Sequence, residues 1–190
     1  MKKLLFVNCC IRKNSRTEKL CRRYLEELGK QEEFELHEIN AAKLDIAPFD
    51  EEMLEQRERD IAQGRTDTDK YRLAHDFADA DMTVIGAPYW DCSFPSKLKV
   101  YFEHVCVSGI TFDFNSDGEQ VKLCRANSLV YITTSGGFLS SSPGVERCIK
   151  DLASLFEIGD ARFYCAQGLD VFPDKVEEIL DKTLEDMLGI

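Results

Sequence analysis

The sequence predicts a doubly wound α/β domain with a five-stranded parallel sheet. Short apolar runs alternate with segments of helical periodicity along the whole chain of 190 residues. The central runs are apolar from end to end, so both faces of the sheet must be covered by helices. No internal repeat, linker or change of composition marks a boundary. We therefore expect a single domain over residues 1–190.

The predicted strands are the short apolar runs, which begin with LLFV. They lie at residues 4–7, 34–39, 82–87, 128–133 and 161–166. The second run, FELHEI, is weaker and partly polar, as expected for a strand near the edge of a sheet. The third, MTVIGA, is apolar throughout, and Gly86 and Pro88 mark its end.

The predicted helices carry apolar residues three and four positions apart, and the first of them ends at Gly29. They lie at residues 15–28, 70–80, 95–107, 145–156 and 176–187. Pro95 is well placed at the start of the third helix. The least regular stretch, residues 41–69, is expected to be a surface excursion with room for a short helix in its acidic part.

Five strands in a chain of this length favour the flavodoxin-like strand order 2-1-3-4-5 over a six-stranded dinucleotide fold. In such open sheets a ligand binds beyond the carboxyl ends of the strands, near the point where the strand order reverses. The candidate site therefore lies in the loops that follow the first, third and fourth strands.

Charge and cysteine usage exclude several classes of function. The net charge of −11 argues against a general binder of nucleic acid or anionic membranes. The 8 cysteines contain no CxxC pair, so disulfide, zinc and iron–sulfur frameworks lack their signature and no metal site is expected. The apolar run near the N-terminus is too short for a signal peptide or a membrane span, and we expect a cytoplasmic protein.

The loop after the first strand has the chemistry of a phosphate site, although it contains neither a GxGxxG nor a Walker motif. Ser15, Arg16 and Thr17 open the following helix and offer hydroxyls, a guanidinium group and free backbone N–H groups. Ser15 could equally cap the helix, with Glu18 completing a capping box, and the two roles are compatible. Six basic residues are concentrated here: Arg12, Lys13, Arg16, Lys19, Arg22 and Arg23.

The other two loops suit a planar ring. The loop after the third strand places the only tryptophan, Trp90, beside Tyr89 and near Phe94, between two prolines. Alternatively, Trp90 and Phe94 cover the core or form a subunit interface. In the loop after the fourth strand, Gly136 and Gly137 allow backbone N–H groups to stabilise negative charge on a ring carbonyl, although a plain turn is the alternative.

The motifs NCCIRxxSxT, APYWDxxFPSxLK, GITF and TTSGG, in this order, resemble the flavodoxin-like NAD(P)H:quinone oxidoreductases and FMN-dependent azoreductases. The resemblance covers nearly the whole chain and implies FMN rather than FAD as cofactor. It places Cys9, Ser15 and Thr17 around the phosphate, with Arg16 nearby. It also places Pro88, Tyr89, Trp90 and Asp91 along the isoalloxazine, with the Asp91 N–H facing flavin N5. Thr134, Ser135, Gly136 and Gly137 would then face the pyrimidine edge.

The resemblance implies a homodimeric enzyme that moves two electrons from NAD(P)H to a quinone, azo compound or similar acceptor by ping-pong hydride transfer. No side chain is expected to act as a catalytic acid, because the cofactor carries the bond chemistry. Trp90 and Phe138 are candidates for the wall beside the ring. Two departures from the family pattern are Cys9, where serine is usual, and Asp91, where asparagine is common. The alternatives are an acidic flavodoxin-type electron carrier and a flavin-free binding domain on the same fold.

Overall fold

The computed structural model describes residues 1–141 and 143–190 and contains the predicted parallel sheet. Its strands in chain order are β1 (Lys2–Asn8), β2 (Phe34–Asn40), β3 (Met82–Gly86), β6 (Ser128–Thr134) and β7 (Asp160–Ala166). They are ordered β2-β1-β3-β6-β7 and every neighbouring pair is parallel. This is the predicted order 2-1-3-4-5, and the partly polar β2 does lie at an edge.

Helices cover both faces of the sheet. They are α1 (Arg16–Gln31), α2 (Glu51–Ala62), α3 (Arg72–Ala78), α4 (Ser96–Val105), α5 (Gly144–Leu155) and α6 (Val176–Leu188). Short 3-10 turns lie at Ala41–Lys43, Asp69–Tyr71 and Pro173–Lys175. No helix among the described residues is both long enough and apolar enough to cross a membrane.

The period-two alternation of β1 builds two separate cores. Leu4 and Phe6 pack on one face of the sheet with residues of α1 and α6, such as Leu20. Leu5 and Val7 point the other way, into the larger core formed with α3, α4 and α5. All four β1 side chains are almost fully buried. The strand is therefore apolar at successive positions because helices cover both faces of the sheet.

The acidic stretch holds a helix, α2, of 12 residues, in the part of the irregular segment where a short helix was expected. One part of the chain differs from the expectation. A small antiparallel hairpin of β4 (Asp113–Phe114) and β5 (Gln120–Val121) lies between α4 and β6 and was not predicted. Its strands have only 2 residues each, too few to show an alternating pattern.

Gly86 ends β3 and sets how closely α1 approaches the sheet. A β-carbon built at this position would lie 2.5 Å from the Cys21 sulfur and 3.3 Å from the Phe6 ring, and both side chains are completely buried. We expect Gly86→Ala to lower the free energy of unfolding by about 1–3 kcal/mol, because neither neighbour can move away. Urea denaturation measures this loss. Gly159→Ala is the matched control, since nothing lies within 4 Å of a β-carbon there, and an equal loss in both variants would contradict the explanation.

Candidate functional site

A cleft opens where the carboxyl ends of β1, β3 and β6 meet, as the strand order requires. The three predicted loops contribute Ser15, Arg16, Thr17, Pro88, Tyr89, Trp90, Thr134, Ser135 and Gly136 to its lining. Ile11, Arg12, Asn14 and Asp170 complete the lining. The fold therefore brings together most of the residues that were predicted from separate parts of the sequence.

The N-terminus of α1 forms one end of the cleft. Ser15 caps the helix, since its side chain accepts the backbone N–H of Glu18 at 3.2 Å. The N–H groups of Arg16 and Thr17 begin the helix and have no intrahelical carbonyl to donate to. In a complete capping box the Glu18 carboxylate would also accept the backbone N–H of Ser15. This second hydrogen bond is not formed, because the carboxylate accepts from the Asn8 and Arg22 side chains instead. The cap and the free N–H donors therefore coexist.

Most of the positive charge predicted here is neutralised by the fold. Four of the six basic residues on the first loop and helix form ion pairs. The pairs are Arg16–Asp170, Lys19–Glu177, Arg22–Glu38 and Arg23–Asp181. Of these four, only Arg16 reaches the cleft, where Arg12 joins it. The local excess of positive charge at the cleft is consequently smaller than the sequence indicates.

The second loop places an aromatic wall opposite that end. The backbone groups of Trp90 and Ser93 bond to each other in both directions at 2.8 Å, closing a tight turn. Asp91 (φ 49°) and Cys92 (φ 63°) occupy the left-handed region, the conformation of a type I′ turn. Trp90 lines the cleft, whereas Phe94 packs edge-on against Phe102 at 5.7 Å and so belongs to the core.

The third loop is fixed against the loop that follows β7. Backbone N–H groups of Gly168, Leu169 and Asp170 donate to carbonyls of Gly137, Ser135 and Gly136 at 2.9–3.1 Å. The hydroxyls of Thr17 and Thr134 lie 2.7 Å apart and join this wall to α1. The two glycines differ: the Asp170 carboxylate fills the space beside Gly136, while nothing lies within 4 Å of a β-carbon built on Gly137.

Four predicted residues do not line the cleft. Cys9 is fully buried in the core on the α4 side of the sheet, where burial raises the pKa of its thiol to about 12. Asp91 is exposed at the tip of its turn, although among the described residues its N–H has no acceptor. Gly137 and Phe138 lie just outside the lining, and Phe138 packs against Phe172 instead.

Asp170 lines the cleft and was not predicted. It follows β7, the neighbour of β6, whereas the three predicted loops follow the first, third and fourth strands. The sequence feature that could have indicated it is an acidic residue in the loop after the fifth predicted strand, which neighbours the fourth in the sheet. Its position matters because it pairs directly with Arg16, with Oδ1 2.6 Å from the guanidinium.

Two apolar cavities lie away from this cleft. One, of about 550 Å³, is bounded by α2, the segment before it and the start of α3. The other, of about 470 Å³, lies between α2, α4 and α5. The Phe49 ring and the Arg57 guanidinium, 4.4 Å apart, line both. Neither cavity contains a residue of the predicted site, and both are more apolar than the cleft.

A five-stranded parallel sheet in this order, with a helix N-terminus and an aromatic loop at the reversal point, defines a flavodoxin-like protein. The family model Flavodoxin_2, described as a flavodoxin-like fold, matches residues 2–189. The chain belongs to this family, and the predictions of fold and family are confirmed.

Relatives of known function and structure cover nearly the whole chain. The FMN-dependent NADH:quinone oxidoreductase 2 of Clostridium acetobutylicum is 32% identical, over 97% of this chain and 96% of its own. An azoreductase structure from Bacillus anthracis has a TM-score of 0.79 at 25% identity, covering 98% and 96% of the two chains. A FMN-dependent NADH-azoreductase from the same organism, solved with FMN, has a TM-score of 0.81 over 100% and 98%; at 22% identity it supports the fold alone.

Proposed function

We propose that the chain is a FMN-dependent NAD(P)H oxidoreductase that reduces a quinone, an azo compound or a similar small acceptor. The observation that carries the proposal is the convergence of the α1 N-terminus and the Trp90 loop in one cleft. The named activity of the 32% identical relative supports it. Neither the electron-carrier alternative nor the flavin-free alternative has a comparable observation in its favour.

The donor set of the cleft fits FMN. A phosphate needs several convergent donors, and Ser15, Thr17 and Arg16 supply hydroxyls, free N–H groups and a guanidinium at one helix N-terminus. A flavin ring needs a flat apolar wall and backbone donors at its edge. Trp90 with Tyr89 provides the wall, and Asp91 and Gly137 provide unobstructed backbone at the rim.

The roles of the residues follow from these positions. Ser15, Arg16 and Thr17 hold the phosphate. Pro88, Tyr89, Trp90 and the Asp91 backbone border the ring. Thr134, Ser135 and Gly136 form the facing wall, with the Gly137 backbone at its rim. The Tyr89 phenol is neutral near pH 7, as tyrosines ordinarily are, and burial raises its pKa further. The buried Cys9 has no direct part in the site.

When bound, FMN would supply the redox chemistry, namely two-electron hydride transfer between NAD(P)H and the acceptor in a ping-pong cycle. The protein binds and orients: the helix N-terminus neutralises the phosphate, and the Asp91 N–H is free to donate to the ring edge. No side chain of the cleft is assigned as a general acid. Nicotinamide and acceptor use the same open side of the cleft in turn.

Stopped-flow reduction of the FMN-loaded protein tests the proposal. We expect NADH or NADPH to bleach the flavin absorbance near 450 nm in a single two-electron phase, and a quinone to restore it. A FMN-loaded protein that neither nucleotide reduces would contradict the enzyme. If reduction instead proceeds in two separate one-electron steps with a protein donor, the electron-carrier alternative is correct.

The quaternary and cellular parts of the proposal are that the chain acts as one domain, as a homodimer, in the cytoplasm. Apolar side chains bordering the α2–α4–α5 cavity, such as Leu54, which is 41% exposed, support a second copy on that face. All 8 cysteines are unpaired, as in a reducing compartment. Sedimentation velocity at micromolar concentration is expected to give about twice the monomer mass of 21.7 kDa, and a monomer contradicts the dimer.

A further inference from the structure

The end of the cleft that is proposed to hold a phosphate already contains a carboxylate. Arg16 donates through Nη2 to Asp170 Oδ1 at 2.6 Å and through Nη1 to the Leu169 carbonyl at 3.0 Å. The other oxygen, Oδ2, lies beside Gly136, where any β-carbon would overlap it. The glycine that was predicted to admit a ligand therefore admits a side chain of the protein itself.

This placement is set by the backbone. The N–H of Asp170 donates to the Gly136 carbonyl at 3.0 Å, and the N–H of Leu169 donates to the Ser135 carbonyl at 3.1 Å. Arg16 is the first residue of α1, so its side chain starts where the free N–H groups of the helix converge. The carboxylate and a bound phosphate would thus share one guanidinium.

The pair is weak enough to exchange. The side chains of Arg16 and Asp170 are 33% and 69% exposed, and ion pairs this accessible to water are only slightly stabilising. A phosphate dianion is a stronger partner for a guanidinium than one carboxylate, because it carries more charge and more acceptor oxygens. It would therefore displace the carboxylate from the guanidinium.

We propose that Asp170 is an internal competitor for the phosphate of the flavin. It pairs with Arg16 in the cofactor-free protein, gives up that partner when FMN binds, and lowers the affinity for the phosphorylated flavin so that FMN exchanges with solution. Riboflavin carries no phosphate and no charge, so the negative charge of Asp170 does not compete with it. This inference rests on the proposed function, since it takes FMN to be the ligand of the cleft.

Dissociation constants for FMN and riboflavin, measured by quenching of flavin fluorescence, test the inference. We expect Asp170→Asn to lower the Kd for FMN about twofold to fivefold while leaving the Kd for riboflavin unchanged. The matched control is Asp174→Asn, which removes an exposed acidic group nearby in the chain that does not line the cleft. In an Arg16→Gln background, most of the gain from Asp170→Asn should disappear, because no guanidinium is left to compete for.

The outcomes separate the inference from the proposed function. Wild-type protein that binds FMN, with no gain or a loss of affinity in Asp170→Asn, overturns the inference alone. An equal gain for riboflavin also overturns it, since the effect would then come from a wider cleft and not from the phosphate. Wild-type protein that binds neither flavin overturns the proposed function and the inference together.

Discussion

Replacing Arg16 with proline is expected to weaken FMN binding about tenfold to a hundredfold beyond the effect of Arg16→Ala. Both variants lose the guanidinium and its pair with Asp170, so they differ at the cleft in one backbone N–H. A hydrogen bond from an N–H to a charged group contributes about 1.5–3 kcal/mol, which corresponds to this range of Kd. The comparison therefore measures what the free N–H at the start of α1 contributes.

The structure makes this substitution feasible without breaking the helix. Arg16 is the first helical residue, where the N–H has no intrahelical partner and proline is well tolerated. Ser15 before it has φ −67° and ψ 120°, an extended conformation that suits a residue preceding proline. Thermal melting by circular dichroism is expected to give similar midpoints for the two variants.

Riboflavin provides the ligand control, because it lacks the phosphate that the N–H would contact. Its Kd should be the same in Arg16→Pro and Arg16→Ala. Equal Kd values for FMN in the two variants, with both folded, would show that the α1 N-terminus does not bind the phosphate. FMN would then have to bind in the cleft in a different orientation.

The sheet was predictable because its strands are short apolar runs separated by helical periodicity, a pattern that local sequence carries on its own. The cleft was predictable because parallel strands bring their carboxyl ends to one edge, so three loops distant in sequence had to meet. The side-chain direction of Cys9 was not predictable. It directly follows β1, and a buried thiol on the α4 side looks the same in sequence as one facing the cleft.

The ion pairs of the site were also not predictable from the sequence. The basic residues of α1 were visible, but their acidic partners lie in distant segments, on β2, in the loop after β7 and on α6. The packing of α1 against β2, α6 and the loop after β7 decides which cations are paired. The acidic run at residues 50–60 shows the same limit, because one of its carboxylates is buried although the run looks solvent-exposed in the sequence.

That buried residue is Asp60, and replacing it with asparagine is expected to lower the Tm by roughly 5 °C. Its carboxylate accepts hydrogen bonds from Gln56, Arg65, Lys70 and Tyr71 at 2.9–3.1 Å. One side chain thus ties the end of α2 to the turn before α3. An amide has the same shape, but its NH₂ group would face donors, and the two cations would lose their counter-charge.

The loss should depend on pH with a definite sign. Hydrogen bonds from Lys70 and Tyr71 hold the pKa of Asp60 well below its usual range. A carboxyl group whose pKa is lower in the folded than in the unfolded state stabilises the protein fully above the unfolded pKa, about 4, and progressively less as the pH falls. The difference in free energy of unfolding between wild type and Asp60→Asn should therefore narrow from pH 6 to pH 3. Asp67→Asn replaces an exposed acid in the same segment, so it should neither lower the Tm nor show a difference from wild type that depends on pH. If the difference in free energy of unfolding between wild type and Asp60→Asn stays constant down to pH 3, the charge of Asp60 does not stabilise this turn.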